Sequence, residues 1–147
     1  MVDPSADKHL LQSMELFYFG YRAFTSVPDR ILQEKGLGRV HHRILYFVGR
    51  NPDININELL QILSVSKQAL NAPLRKLTGL GLIEVETASH DRRVKQLHLS
   101  KSGEQLEARL TASQMDHLSR AFAEAGEDAF DGWVRIMQAL PRAQNNG

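Results

Sequence analysis

Apolar residues at Leu10, Leu11, Met14, Phe17, Tyr18, Tyr21 and Phe24 recur at intervals of three and four, which marks one stripe of a helix over residues 8–27. Pro28 is expected to break or bend that helix. Beyond the Gly36–Gly38 punctuation, Val40, Ile44, Leu45, Phe47 and Val48 form a second apolar face, ended by Asn51-Pro52. Asn55 followed by Glu58 has the form of a capping box, and Ile56, Leu59, Leu60 and Leu63 supply the inward side of a short third helix. Ser64-Val65-Ser66 interrupts, and Ser66 caps a fourth helix facing inward through Leu70, Leu74 and Leu77 and ending near Gly79 or Gly81.

The period then changes to two. Leu82–Glu86 and Val94–Leu99 alternate as two strands, with Ile83 and Val85 matching Val94, Leu97 and Leu99 on the covered face. The polar loop between them, Thr87–Arg93, is longer than the commonest hairpin connection, and such loops often carry function. Ser100 caps a long helix through Leu106, Leu110, Met115, Leu118 and Phe122. Gly126 separates it from a last helix with Phe130, Trp133, Val134, Met137 and Leu140, and the tail from Pro141 is expected to fray. The class is mainly α with a small β-hairpin.

The 147 residues, 42% hydrophobic and 24% charged, fit one compact domain with its own core. With no Cys, a disulfide scaffold, a thiolate metal site and thiol-based peroxide sensing are all excluded, and a reducing cytoplasm is the compatible compartment. Charges interrupt the first thirty residues and no run of eighteen apolar residues exists, so neither a standard export signal nor a membrane span is expected. A net charge of +1 predicts no nucleic-acid partner on its own. Resolved along the chain it changes: Ser64–Lys101 holds seven Lys and Arg against three acids, a balance of +4, leaving 11 minus 14, or −3, for the rest. A basic helix pair and hairpin on a slightly acidic body is an electrostatic footprint for phosphate.

These elements, in this order, resemble the winged helix-turn-helix of the MarR family of bacterial transcription regulators. The resemblance is carried by VSKQAL opening the fourth helix, LTGLGLIE leading into the first strand and DRRVKQLHLSKSGE across the loop into the next helix. It implies residues 1–38 as an N-terminal dimerisation helix and linker, 39–101 as the winged DNA-binding region and 102–147 as C-terminal dimerisation helices. It further implies a homodimer on a pseudo-palindromic double-stranded operator, with one helix per subunit in the major groove and the hairpin, or wing, toward the adjacent minor groove. On the fourth helix, Ser66, Lys67, Gln68, Asn71, Arg75 and Lys76 lie mostly off the apolar stripe. Gln68 and Asn71 suit base edges, while Lys67, Arg75 and Lys76 suit phosphates. By resemblance, Asp91 and Arg93 pair to orient the wing while an Arg at the tip enters the minor groove; Arg92 is favoured and Arg93 is the alternative. Pro73 departs from the family pattern: either the helix kinks and otherwise continues, or its first turn is short and reoriented.

By the same resemblance, a small aromatic or phenolic effector would bind between the dimerisation helices and the winged region. Phe17, Tyr18, Tyr21, His41, His42 and Tyr46 are candidates to line that space, against the alternative that they are ordinary core. The histidines offer no i, i+4 pair and no HExxH, so no metal or other cofactor is expected, and no catalytic constellation stands out. Three readings follow: a ligand-responsive repressor, a winged-helix module that binds proteins, and a zinc-responsive regulator using histidines.

Overall fold

A computed structural model describes residues 3–144. Six helices and one hairpin follow in order: α1 Pro4–Gln33, α2 Arg39–Arg50, α3 Ile56–Leu63, α4 Lys67–Gly79, β1 Ile83–Thr87, β2 Lys95–Leu99, α5 Lys101–Ala125 and α6 Glu127–Ala143. The expected class, mainly helical with a winged hairpin, is the one observed.

Local signals set most boundaries. Asn55 and Glu58 form the reciprocal capping box on α3, each side chain bonding the other's backbone N–H at 2.9 and 3.1 Å. The turn into α4 passes through Ser64 in the left-handed region, and Ser66 then accepts from the Ala69 N–H at 3.1 Å. Ser100 caps α5 by accepting from the Gly103 N–H at 3.0 Å.

Two prolines behave differently from expectation. α1 runs unbroken through Pro28 to Gln33. The ring deprives the Phe24 carbonyl of one helical bond, but Pro28 is fully buried beside Leu32, and this packing offsets the loss. α6 likewise continues through Pro141 to Ala143, since a proline so near a helix end costs one bond and leaves few residues beyond it to disrupt.

The core is one cluster. Leu32 from α1, Ile44 and Leu45 from α2, Leu59, Leu70 and Leu77 from the next two helices, Leu97 from β2 and Leu110 from α5 are all fully buried in it. β1 and β2 pair antiparallel with Val85 opposite Leu97. β2 is the inner strand, because the Leu97 N–H bonds the Ile54 carbonyl at 2.8 Å and Asn55 bridges Gln96. β1 is therefore the free edge, and Val85, expected on the covered face, is exposed. The wing is rooted where α5 begins. Ser100 and Ser102 both donate to the Gly81 carbonyl, and a Cβ added to Gly103 would stand 2.0 Å from the Leu82 carbonyl oxygen.

Among the described residues, many large apolar side chains remain exposed. Leu10, Leu11, Met14, Phe17 and Tyr18 of α1 are exposed, as are Phe130, Trp133, Ile136 and Leu140 of α6. The stripe read from the sequence is real, and within one chain it faces outward.

Candidate nucleic-acid interface

α4 packs through Leu70 and Leu77, buried, and Pro73 and Leu74, half-buried. At 100° per residue, the opposite side carries Gln68, Ala72 and Arg75, flanked by Asn71, all exposed. The helix continues through Pro73, so the shortened-turn alternative does not apply and Lys67, Gln68 and Asn71 share one helical frame. Ser66 already accepts its capping bond, yet its hydroxyl proton remains free to donate to a phosphate. Lys67 is exposed at the first turn, where the helix dipole adds to its positive charge.

Lys76 is exposed and already engaged within the chain. Its ammonium donates to the Gly36 carbonyl and thereby ties α4 to the linker after α1. Its charge also helps hold His41 below the ordinary histidine value, after the larger effect of burial.

The wing loop is tighter than its seven residues suggested. The Ala88 N–H bonds the Val94 carbonyl at 2.9 Å and the Val94 N–H bonds the Asp91 carbonyl at 3.1 Å, so Ser89–Arg93 alone form the tip. Within it, Asp91 accepts from the Arg93 backbone at 2.9 Å, and from the Arg93 guanidinium at 3.2 and 3.3 Å through its two oxygens. These bonds hold the Asp91 carboxyl below its usual range. Pairing through a fork commits Arg93 to the loop and leaves Arg92, adjacent and exposed, without a carboxylate partner among the described residues. Lys95 donates to Thr87 at 3.1 Å at the base of the loop.

The candidate effector residues divide. Tyr21, His42 and Tyr46 line a cavity of about 480 Å³ between α1, α2 and α5, together with Phe24, Phe47 and three arginines. Phe17 lines a second cavity of about 420 Å³, with Leu16, Trp133 and Met137, and Tyr21 reaches both. Tyr18 and His41 line neither. His41 instead accepts from the Gly38 N–H at 2.9 Å and caps α2. His42 is buried, and burial outweighs the attraction of Asp29 and Glu107 to push it below the ordinary histidine value. Among the described residues, no group of three or more His, Asp or Glu side chains is placed to hold a metal ion, and no helix is long and apolar enough to cross a membrane.

Several contacts escaped sequence reasoning. Arg50 at the end of α2 pairs with the buried Glu107 of α5 at 2.9 Å, and Thr111 donates to the same carboxylate at 2.7 Å. His98 of β2 meets Asp53 at 2.6 Å, joining the wing to the loop before α3. One signal was present: Gly103, Leu106, Glu107 and Leu110 form a helical i, i+3, i+4, i+7 stripe, so Glu107 occupies a core position.

Comparison with known proteins places the geometry. A sequence model described as the MarR family matches residues 35–94. The HTH-type transcriptional regulator PetP of Rhodobacter capsulatus is 37% identical over 134 residues, covering 91% of this chain and 81% of that protein. A crystal structure of a MarR family transcription regulator superposes with a TM-score of 0.80 at 21% identity, over 97% of this chain and 94% of that one. Streptococcus pneumoniae FabT, crystallised in complex with DNA, superposes with a TM-score of 0.81 at 17% identity, over 95% of this chain and 97% of that one.

Proposed function

The chain belongs to the MarR family and is a helix-turn-helix transcription regulator, and from that premise we propose that it is a ligand-responsive repressor binding a pseudo-palindromic operator as a homodimer. The observation that carries the DNA-binding part is the pairing of two exposed basic features on elements that share one core: the outer face of α4 and the Asp91-braced tip with Arg92 exposed. Gln68 and Asn71 would read base edges, Ser66, Lys67 and Arg75 would hold phosphates, and Arg92 would enter the minor groove, where a narrow groove deepens the negative potential. Arg93 and Asp91 would orient that tip. FabT, whose fold is shared, is a protein crystallised with DNA, which favours the same partner here.

The homodimer rests on the exposed large apolar side chains of α1 and α6, which belong to the two ends of the chain. Two joined subunits present two recognition helices and so match an inverted repeat. A small aromatic or phenolic effector would occupy the cavity of about 480 Å³, bounded by α2 of the winged region and by α1 and α5. Repression follows from occupancy of a promoter by such a dimer, in the cytoplasm where the chromosome is accessible.

Genome-wide mapping of bound sites, followed by a gel-shift salt series on the best site, tests the proposal. Specific binding at moderate salt, with log affinity falling linearly in log salt, is expected. Weak binding of equal strength to every duplex would overturn it and favour a protein-binding role.

A further inference from the structure

His98 of β2 is set among carboxylates. In the antiparallel register it stands directly opposite Glu84 of β1, with Glu86 next along on the same face. On its other side, the bridge between Asn55 and Gln96, continued along both chains, brings Asp53 opposite His98. The imidazole meets Asp53 Oδ1 through Nε2 at 2.6 Å, while Nδ1 lies 3.9 Å from Glu86 Oε2. An ionised carboxylate only accepts, so Nε2 carries the proton of the neutral ring and Nδ1 keeps a lone pair. That Nδ1 is buried and has no hydrogen-bond partner among the described residues. The other charged groups around β2 are committed elsewhere. Glu58 of α3 accepts from the Asn55 N–H, and Lys95 donates to Thr87. Arg50 of α2 pairs with Glu107 of α5, which lies with Leu99 on the opposite face of the hairpin.

We propose that His98 is a positioning residue of the wing, and that a second proton on its ring locks the hairpin in the geometry that binds the operator. The inference rests on the DNA-binding reading and adds to it a control by pH. The wing meets the helix-turn-helix through a row of links: the Leu97 N–H on the Ile54 carbonyl, the Asn55–Gln96 bridge and the His98–Asp53 bond. Ile54 is buried in the core and Asn55 caps α3, so the row joins the hairpin to the start of the reading helices. With the ring neutral, only Asp53 is bonded and the Nδ1 lone pair faces the negative Glu86. With the ring charged, Nδ1 donates as well, and the exposed Glu86 side chain is free to close the gap. One imidazolium then spans the loop before α3, β2 and β1. Its charge also offsets Asp53, Glu84 and Glu86, which otherwise repel phosphate from the wing. Both effects favour the operator-bound form, and by reciprocity the operator favours the protonated ring.

Gel shifts of the full-length protein on its mapped operator, at constant salt from about pH 7.5 to about pH 6, test this across the range in which histidines titrate. Over that interval wild-type affinity is expected to gain about fivefold or more relative to His98→Gln. The Gln amide reaches the place of Nε2, keeps a donor for Asp53 and takes up no proton. Glu86→Gln, a change on the exposed edge strand, should remove most of the same gain. Every other histidine, His41 and His42 included, is common to these proteins and cancels in the comparison. In the wild type at a fixed pH of about 6.5, the ring-nitrogen resonances of His98 should show a larger protonated share once operator is added. Parallel affinity profiles in wild type and His98→Gln, or a protonated share that operator leaves unchanged, would overturn the proposal while leaving the DNA-binding reading intact. Absence of specific binding at every pH would overturn both.

Discussion

Arg92 and Arg93 are neighbours of the same type, yet the structure separates them by what each touches. Arg93 is bound through its fork to Asp91, and Arg92 is left for a partner outside the chain. Arg92→Ala should therefore weaken operator binding about tenfold or more and reduce the salt slope by about 0.9, with an unchanged melting curve. Gel shifts at several salt concentrations, with circular dichroism as control, check it; unaltered affinity and slope would remove Arg92 from the contacts. Histidine burial gives a second prediction. His41 and His42 both lie below the ordinary value of 6.5, so just below that pH the unfolded chain holds protons that the folded chain lacks. Stability should thus fall as pH drops through about 6.5, and go on falling until the folded rings protonate. Urea midpoints between about pH 5 and 7.5 measure this, and His42→Asn should flatten the slope. At this scale legibility follows sequence separation. The Asp91–Arg93 brace lies within three residues and was expected from the family resemblance, whereas Arg50–Glu107 and His98–Asp53 join positions that only tertiary packing brings together.

Whole elements were the most legible level, because their signals are local: the Asn55/Glu58 box, the Ser66 and Ser100 caps, and the switch of period at Gly81. Where reading failed, tertiary burial had overridden a local rule. Pro28 sits within α1 because the core covers it, and Val85 lies open because β1 is the outer strand. Gly103 shows the reverse case, a residue that looks unremarkable in sequence and is tightly constrained by its neighbours. With the Leu82 carbonyl 2.0 Å from its missing Cβ, Gly103→Ala must push α5 off the root of the wing. The expected loss is about 1–3 kcal/mol or more, seen as a lower denaturant midpoint, and operator affinity should fall as the wing shifts. Pro73→Ala should act oppositely, restoring the bond to the Ala69 carbonyl and raising stability by up to about 3 kcal/mol. Selecting duplexes from a randomised library with both proteins would show whether Pro73 also contributes to recognition, since identical preferred sequences would assign it none.

For the molecule as a whole, a net charge of +1 hid a separation into a basic reading region and an acidic body, which charge position along the chain revealed before any coordinates. Periodicity alone did not tell that the stripes of α1 and α6 stay exposed within one chain, because it marks a covered face without saying what covers it. The long first helix illustrates this. Its 30 residues span about 45 Å, and the residues anchoring it to the core, Thr25, Pro28, Ile31 and Leu32, all lie near its C-terminal end. Phe17, 53% exposed, and Trp133, 44% exposed, stand on the open faces at opposite ends of the chain. Phe17→Glu or Trp133→Glu should yield monomers by analytical ultracentrifugation and abolish operator binding; a stable dimer in both variants would place the interface elsewhere. If the first half of α1 finds its packing only on a second copy, folding and association are one equilibrium. The melting temperature should then climb with protein concentration. A cell holding few copies would contain mostly incomplete, protease-accessible chains, so that abundance itself becomes an input to the switch.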